Sequence, residues 1–351
     1  MSSLMERPEA VTVESVEDGT LARWSRRLGG GWIFVLLIGL VIIFGLLKPG
    51  QFLTTSNLAT LAVDAAILLV LSLGQTYVII TAGIDLSVGS VLVFSSVVSA
   101  KIMLVMSGAP GDTYGTTSGG WGIIGLGIVA GVAAGAAWGL LNGWLVAKAR
   151  VPALIVTLGT LGMALGFSQL LTGGVDVRAV PEKLVGYVGT GAVLGIPTLV
   201  VIAAVVAALA AALLHLTQFG GWTYAVGSNA EAARRAGIPV RAQLLKVYTL
   251  AGALAGLAGV MAVARFGTTT IGGHASDNLA TISAVVLGGT SLFGGRGTIF
   301  GTVIGVFIPV ILLNGFVIIG IPPFWQTVTM GAVLIVAVWL DQIKRRTQQI
   351  G

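Results

Sequence analysis

The chain has 351 residues, 56% hydrophobic and 9% charged, with 52 glycines. A soluble domain carries about 25% charged residues, so this composition excludes an ordinary water-soluble enzyme and implies a polytopic membrane protein. The net charge of +6 comes from basic residues scattered over separate loops with no interleaved aromatics, which argues against nucleic acid, and the absence of cysteine removes disulfides, thiolate nucleophiles and Cys-based metal sites.

Residues 1–30 mix Glu6, Glu9, Glu14, Glu17 and Asp18 with Arg23, Arg26 and Arg27 before the first apolar stretch. A cleaved signal begins basic and reaches its apolar stretch sooner, so this segment reads as a flexible cytoplasmic tail followed by an uncleaved helix. Apolar runs near the roughly 20 residues a helix needs to cross the hydrocarbon core then recur. They are placed at 31–47, 58–80, 86–106, 121–146, 153–172, 196–216, 244–265, 279–294, 298–319 and 324–341, of which 279–294 is the shortest. The expected fold is an all-α, polytopic transmembrane helical bundle of about ten spans over 31–341, with a loop at 217–243 and a C-terminal tail at 342–351.

Short cytoplasmic segments retain Lys and Arg. With the N-terminus inside, 14 of the 19 basic residues fall on the cytoplasmic side, and Lys48, Lys101, Arg178, Lys183 and Arg265 lie outside. Both termini are then cytoplasmic, which an even number of spans requires.

Between the second and third spans, Thr81-Ala82-Gly83-Ile84-Asp85-Leu86-Ser87-Val88-Gly89-Ser90 interrupts the apolar text. Asp85 is expected to cap the third span with Ser87 beside it, Gly83 making the turn, and irregular backbone at membrane depth also suits a pathway. The fourth span sets Gly127, Gly131, Gly135, Gly139 and Gly143 at four-residue spacing. That is one bare ridge for close helix packing, as are Gly252 and Gly256, and Gly297, Gly301 and Gly305. Asp64, Gln75, Asn142, Gln169 and Asn314 are the sparse polar residues in or near spans. They suit helix-to-helix hydrogen bonds or a pathway for a neutral polar solute, and none forms a proton relay. Trp24, Trp32, Trp121, Trp144, Trp222 and Trp325 lie near span ends, as an aromatic belt requires.

A polar island, Ala225 to Pro239, stands in the 217–243 loop. Asn229 can cap a short helix with Glu231 in its first turn and Arg234 and Arg235 in its last, stopped by Gly237 and Pro239. It reads as a handle that another protein can grip. The chain contains no Gly-x-x-x-x-Gly-Lys-Ser/Thr segment for cradling phosphates. His215 and His274 have no carboxylate in metal-site spacing, so no metal site and no catalytic constellation is expected.

Three segments together resemble the inner-membrane permease subunits of ribose-type monosaccharide ABC importers. They are Gly83 to Ser90, the handle from Gly227 to Ile238, and Ala284-Val285-Val286-Leu287-Gly288-Gly289-Thr290-Ser291-Leu292-Phe293-Gly294-Gly295-Arg296-Gly297. The resemblance implies a bacterial inner-membrane location, a second permease chain as a homodimer or related heterodimer, an external sugar-binding protein and a cytoplasmic ATPase that holds ATP and Mg. This chain would bind no cofactor itself. Gly227, Asn229, Glu231, Ala232, Ala233, Arg234, Arg235 and Gly237 would form the coupling helix seated in the ATPase. Gln75, Asp85, Ser87, Asn142, Gln169, Asn278 and Asn314 are the pathway candidates. Where the family often carries an acidic pair, in a pattern like Glu-Leu-Asp-Ala-Ile, this chain has Asn278-Leu279-Ala280-Thr281-Ile282, with Asp277 adjacent.

Two other readings compete. An ion-driven secondary transporter wants membrane-buried carboxylates or broken helices that hold a coupling ion, for which Asp64 and Asp85 are the candidates. An ABC permease for branched-chain amino acids shares the general layout, but its substrates carry charge.

Overall fold

In the computed structural model, residues 32–274 and 276–349 are described, and the expected N-terminal tail at 1–30 lies outside them. The fold is mostly helical. In chain order the helices are α1 (Trp32–Leu47), α2 (Pro49–Phe52), α3 (Thr55–Ile80), α4 (Val88–Met106), α5 (Trp121–Ala147), α6 (Ala153–Thr172), α7 (Thr198–Leu216), α8 (Gln218–Ser228), α9 (Ala230–Arg235), α10 (Val240–Phe266), α11 (Asp277–Leu287), α12 (Ile299–Ile318) and α13 (Pro323–Gln349). Two small sheets interrupt the all-α expectation: Gly115–Thr117 pairs parallel with Ala179–Pro181, and Ala192–Val193 pairs with Ile196–Pro197.

Seven of the described helices are long and apolar enough to cross a membrane: α3, α4, α5, α6, α7, α10 and α12. The apolar parts of α1 and α13 are shorter. Each of the ten apolar runs carries a helix, but the run at 279–294 does not continue as one. There α11 stops at Leu287 after 11 residues, too few to span, and Gly288–Gly297 follows as a loop. Gly289, Gly294 and Gly295 all have positive φ, which ends helical geometry although Leu292 and Phe293 resume the apolar text after Gly288-Gly289-Thr290-Ser291. At the other end of the chain α13 passes the expected boundary at 341 and continues to Gln349.

The glycine ridges position the bundle. The most extensive helix pairing is α5 on α10. A Cβ on Gly135 would collide with the Gly252 carbonyl, one on Gly139 with the Tyr248 carbonyl, and one on Gly252 with the Gly135 carbonyl. Backbone therefore meets backbone across this seam, as small-residue packing allows. The third ridge does the same on α11: Cβ atoms on Gly301 and Gly305 would strike the carbonyls of Gly288 and Ala284.

α3 is the central element. It packs against α10, α12, α7 and α11, and its residues from Val70 to Ile80 are buried without interruption. Tyr77, fully buried on it, donates its hydroxyl to the Ala210 carbonyl of α7 at 2.5 Å. Around this core, α6 and α7 leave Leu158, Phe167, Leu170, Val205 and Leu209 exposed, apolar side chains that water would not favour. Trp121, Trp144 and Trp325 are also exposed near helix ends, where an interfacial belt places them.

Candidate functional site

Three polar constellations are built on this frame, at one end of the bundle, inside it, and toward the opposite end.

The first is the handle. α8 and α9 fill most of the 217–243 loop, and α8 is a helix that the sequence reading did not foresee. Asn229 Oδ1 accepts from the Ala232 backbone N–H at 2.9 Å, the N-cap expected of it. Glu231 pairs with Arg234 and, at 3.3 Å, with Arg235, so the charges bond to one another as well as to the helix dipole. The hydrogen bond from Arg234 holds the Glu231 carboxyl below its usual value. Gly237 ends the turn with φ +83°, while Ala233 is the buried face of α9.

Gly227 joins this handle to the bundle. Its bare backbone lies on the Ile80 carbonyl at the end of α3, where any Cβ would collide. The same carbonyl accepts from Gly295 N–H at 2.8 Å. Tyr224 donates to the Gly297 carbonyl at 2.7 Å, and Gln243 Nε2 donates to the Phe219 carbonyl at 2.9 Å and to Thr223 Oγ1 at 2.8 Å. The handle, the end of α3, the base of α10 and the glycine turn at 288–297 thus form one joint. Asp341 of α13 closes its far edge by accepting from Ser291 Oγ and Leu292 N–H, each at 3.3 Å.

The second constellation is buried inside the bundle. After α3 ends, the chain turns back through residues 81–87 before α4 begins. Asp85 does not cap α4 as expected. Ser87 occupies the N-cap position, and Asp85 Oδ1 accepts from Ser87 N–H at 2.8 Å and from Ser87 Oγ at 2.6 Å, a local turn. Nor does Gly83 supply the unusual backbone: Ala82 has φ +61°, and Gly83 is required because a Cβ there would sit 2.6 Å from the Tyr248 hydroxyl. Asn142 Nδ2 of α5 donates to Ser87 Oγ at 2.9 Å. The Gln75 amide, oriented to satisfy both partners, donates to the Asp85 carbonyl at 3.2 Å and accepts from Asp85 N–H at 3.3 Å. Four pathway candidates, Gln75, Asp85, Ser87 and Asn142, therefore form one network, and all four are almost fully buried. A fifth, Asn278, is next to it: its Oδ1 accepts from Gly89 N–H at 2.7 Å, so the first turns of α4 and α11 touch. The N-termini of α4 and of the short α11 meet here, and a helix that stops part-way through the bilayer is a device that transporters use at their pathways.

The third lies toward the end of the bundle opposite the handle. A cavity of about 570 Å³ opens between α3, α11, α12, α13 and the end of α10. Asp64, Arg265, His274, Asp277, Asn314 and Gln326 are among the residues that line it. His274 Nδ1 and Asp277 Oδ2 share a hydrogen bond at 2.7 Å. Asn314 exchanges two hydrogen bonds with Asn57, at 2.9 and 3.1 Å, which fixes its amide. Gln169 belongs to none of these constellations: it is exposed near the end of α6. Among the described residues, no group of three or more His, Cys, Asp and Glu is placed to hold a metal.

Sequence reasoning missed the His274–Asp277 pair, although the i to i+3 spacing was readable. It could not have found Asn57, whose partner lies 257 residues away.

Long apolar helices around a short one that stops inside the bundle, with a charged handle at one end, define a polytopic membrane transport protein. The chain belongs to the family described as the permease component of branched-chain amino acid transport systems, whose model matches residues 57–338. It is 36% identical over 314 residues to the ribose import permease protein of Escherichia coli (strain K12), covering 89% of this chain and 93% of that protein. It is 38% identical to the ribose import permease protein of Bacillus subtilis (strain 168), covering 89% and 92%. The fructose import permease protein of Rhizobium meliloti is 32% identical, with 89% and 85% covered. No solved structure matches the chain.

Proposed function

We propose that this chain is the membrane-spanning permease subunit of a monosaccharide ABC importer in the bacterial inner membrane. The observation that carries the reading is the handle: a short, capped, exposed helix whose base is locked through Gly227 to the Ile80 carbonyl and the Gly295 turn. A force on α9 is therefore delivered to the end of α3 and to the segments at 81–87 and 288–297. Relatives named for ribose and fructose import, similar over nearly the whole chain, favour a sugar over an amino acid as cargo.

In this reading the handle end is cytoplasmic, both termini lie inside and ten helical segments enter the membrane, with α11 entering only part-way. The positive-inside bias supports that orientation. Asn229 to Arg235 engages a separate ATPase, which carries ATP and Mg. The opposite end receives solute from an external binding protein, and a second permease chain completes the pathway. The fully buried Asp85 network holds α4 in place in the state seen here, and alternating access would rearrange the α4–α11 contact.

The test is charge reversal on the handle. Glu231→Lys and the pair Arg234→Glu with Arg235→Glu should leave the chain inserted at normal levels, abolish co-purification of an ATP-binding partner and separate ATP hydrolysis from sugar uptake. Unchanged uptake in both variants would sink the handle assignment. Competition between D-ribose and L-leucine separates the sugar reading from the amino-acid one.

A further inference from the structure

We infer that the cavity opposite the handle is a binding site for one neutral monosaccharide ring, so that the permease chain itself recognises the solute before the α4–α11 contact opens. This rests on the sugar-permease reading and deepens it. A volume of about 570 Å³ falls within the range of small-molecule sites, roughly 300–1,000 Å³.

The lining has the chemistry of a polyol site. Asp64 and Asp277 offer carboxylate acceptors, and Asn314 and Gln326 offer amides that both donate and accept. The Asn57 pair holds the Asn314 amide in one orientation, and the His274 contact does the same for Asp277, so ordering costs on binding are reduced. Phe266, half-exposed at 51%, also lines the cavity and adds an aromatic side chain against which the C–H side of a sugar can pack.

Charge in the cavity is partly answered from within: Arg265 is close enough for its charge to act on Asp64, and the Asp277 carboxylate is hydrogen-bonded to His274. What remains for a ligand is hydrogen-bonding capacity, which fits a neutral hydroxylated solute. The walls are pinned: Asp176 Oδ1 accepts from Thr269 Oγ1 and Ile271 N–H, both at 2.9 Å, and so holds the α10–α11 linker that carries His274. Beneath the cavity, Asn278 ties α11 to Gly89, a contact that must break for the solute to pass.

The natural lack of cysteine permits a direct test. Gln326→Cys puts a single thiol on the cavity wall, and Asp112→Cys puts one in the exposed loop before the first strand, away from the cavity. Both variants are expressed in intact cells carrying the complete importer and labelled with a membrane-impermeant maleimide. The expected result is that D-ribose or D-fructose slows labelling of Gln326→Cys about tenfold, leaves Asp112→Cys unchanged, and loses its effect when Asp64→Asn or Asn314→Ala is added.

Labelling of Gln326→Cys that neither sugar slows, or no labelling there at all, overturns the site. If ATP-dependent sugar uptake persists in those cells, the transport reading stands without it. Protection by L-leucine and by neither sugar overturns the site's chemistry and the sugar reading together. Because the labelling rate of the single-thiol variant decides between these outcomes, misfolding of a double variant leaves the test intact.

Discussion

The α5–α10 seam and the α9 handle are built by opposite means. Along the seam glycine backbones touch, and no added atom fits at Gly135, Gly139 or Gly252. On the handle, side chains at half or greater exposure bond to one another and leave their outer faces to water. The difference separates two duties: the seam carries the fold and offers nothing to a partner, whereas the handle adds little to stability and keeps its charges available for recognition. Substitutions should divide along the same line.

The largest effect is expected at the seam. Gly139→Val drives a side chain into the Tyr248 carbonyl, with backbone on both sides and no flexible neighbour to yield. Overpacking a core costs about 1–3 kcal/mol even where side chains can shift, so here most of the folded protein should be lost. Size-exclusion chromatography of solubilised membranes checks this. Wild-type yield and a wild-type profile would show that α5 and α10 do not meet as described.

Next comes the buried network. Asp85→Ala leaves Ser87 N–H and Ser87 Oγ without their acceptor, and so frees the hydroxyl to which Asn142 Nδ2 donates. Unsatisfied buried groups cost about 1–3 kcal/mol each, so thermal unfolding in detergent should move down clearly. Asp85→Asn keeps an acceptor oxygen and should lose less. Equal losses in the two variants would mean that the shape of the segment, rather than its hydrogen bonds, holds α4.

The seam and the handle were also the most legible parts of the sequence. A ridge of glycines at four-residue spacing has one economical meaning in a membrane helix, and the structure sets Gly135 and Gly139 against α10. The order Asn229, Glu231, Arg234, Arg235, Gly237 encodes a capped helix locally, so no distant partner was needed to read it. The stop at Leu287 was read past, although Gly288-Gly289 directly after it is a helix C-terminus signal. Leu292 and Phe293 resume the apolar text after Gly288-Gly289-Thr290-Ser291, and what ends α11 is the positive φ of Gly289 together with the approach of Gly301 to Gly288, a contact made by α12. The cavity was hidden for a similar reason. Asp64, Arg265, Asp277 and Asn314 come from four helices, and only tertiary packing brings them to one wall.

On the handle the effects on stability become small while those on function stay large. Asn229→Ala removes the acceptor for Ala232 N–H. The cost of a lost cap is about 1 kcal/mol, confined to α9, so the unfolding of the bundle should be unchanged. Transport-coupled ATP hydrolysis should nevertheless fall, and Asn229→Ser, which restores a cap, should recover most of it. A loss in Asn229→Ala that Asn229→Ser does not repair would assign Asn229 a direct contact with the partner instead.

The smallest structural effect is expected at Glu231, whose side chain is 51% exposed between arginines at 67% and 79%. Such exposed pairs are screened by water and salt, so Glu231→Gln should not move the unfolding temperature measurably. Its value is as a pH marker. The Arg234 hydrogen bond holds the carboxyl below its usual value, so the pair's contribution is complete above the unfolded-state value and is lost as pH falls through the depressed one. Coupling should therefore be flat across neutral pH and weaken only at and below the ordinary carboxylate range. In Glu231→Gln that acid limb should vanish while the neutral-pH rate is already reduced. An acid limb that survives the substitution would place the titrating group off the handle and return attention to the bundle that the seam holds together.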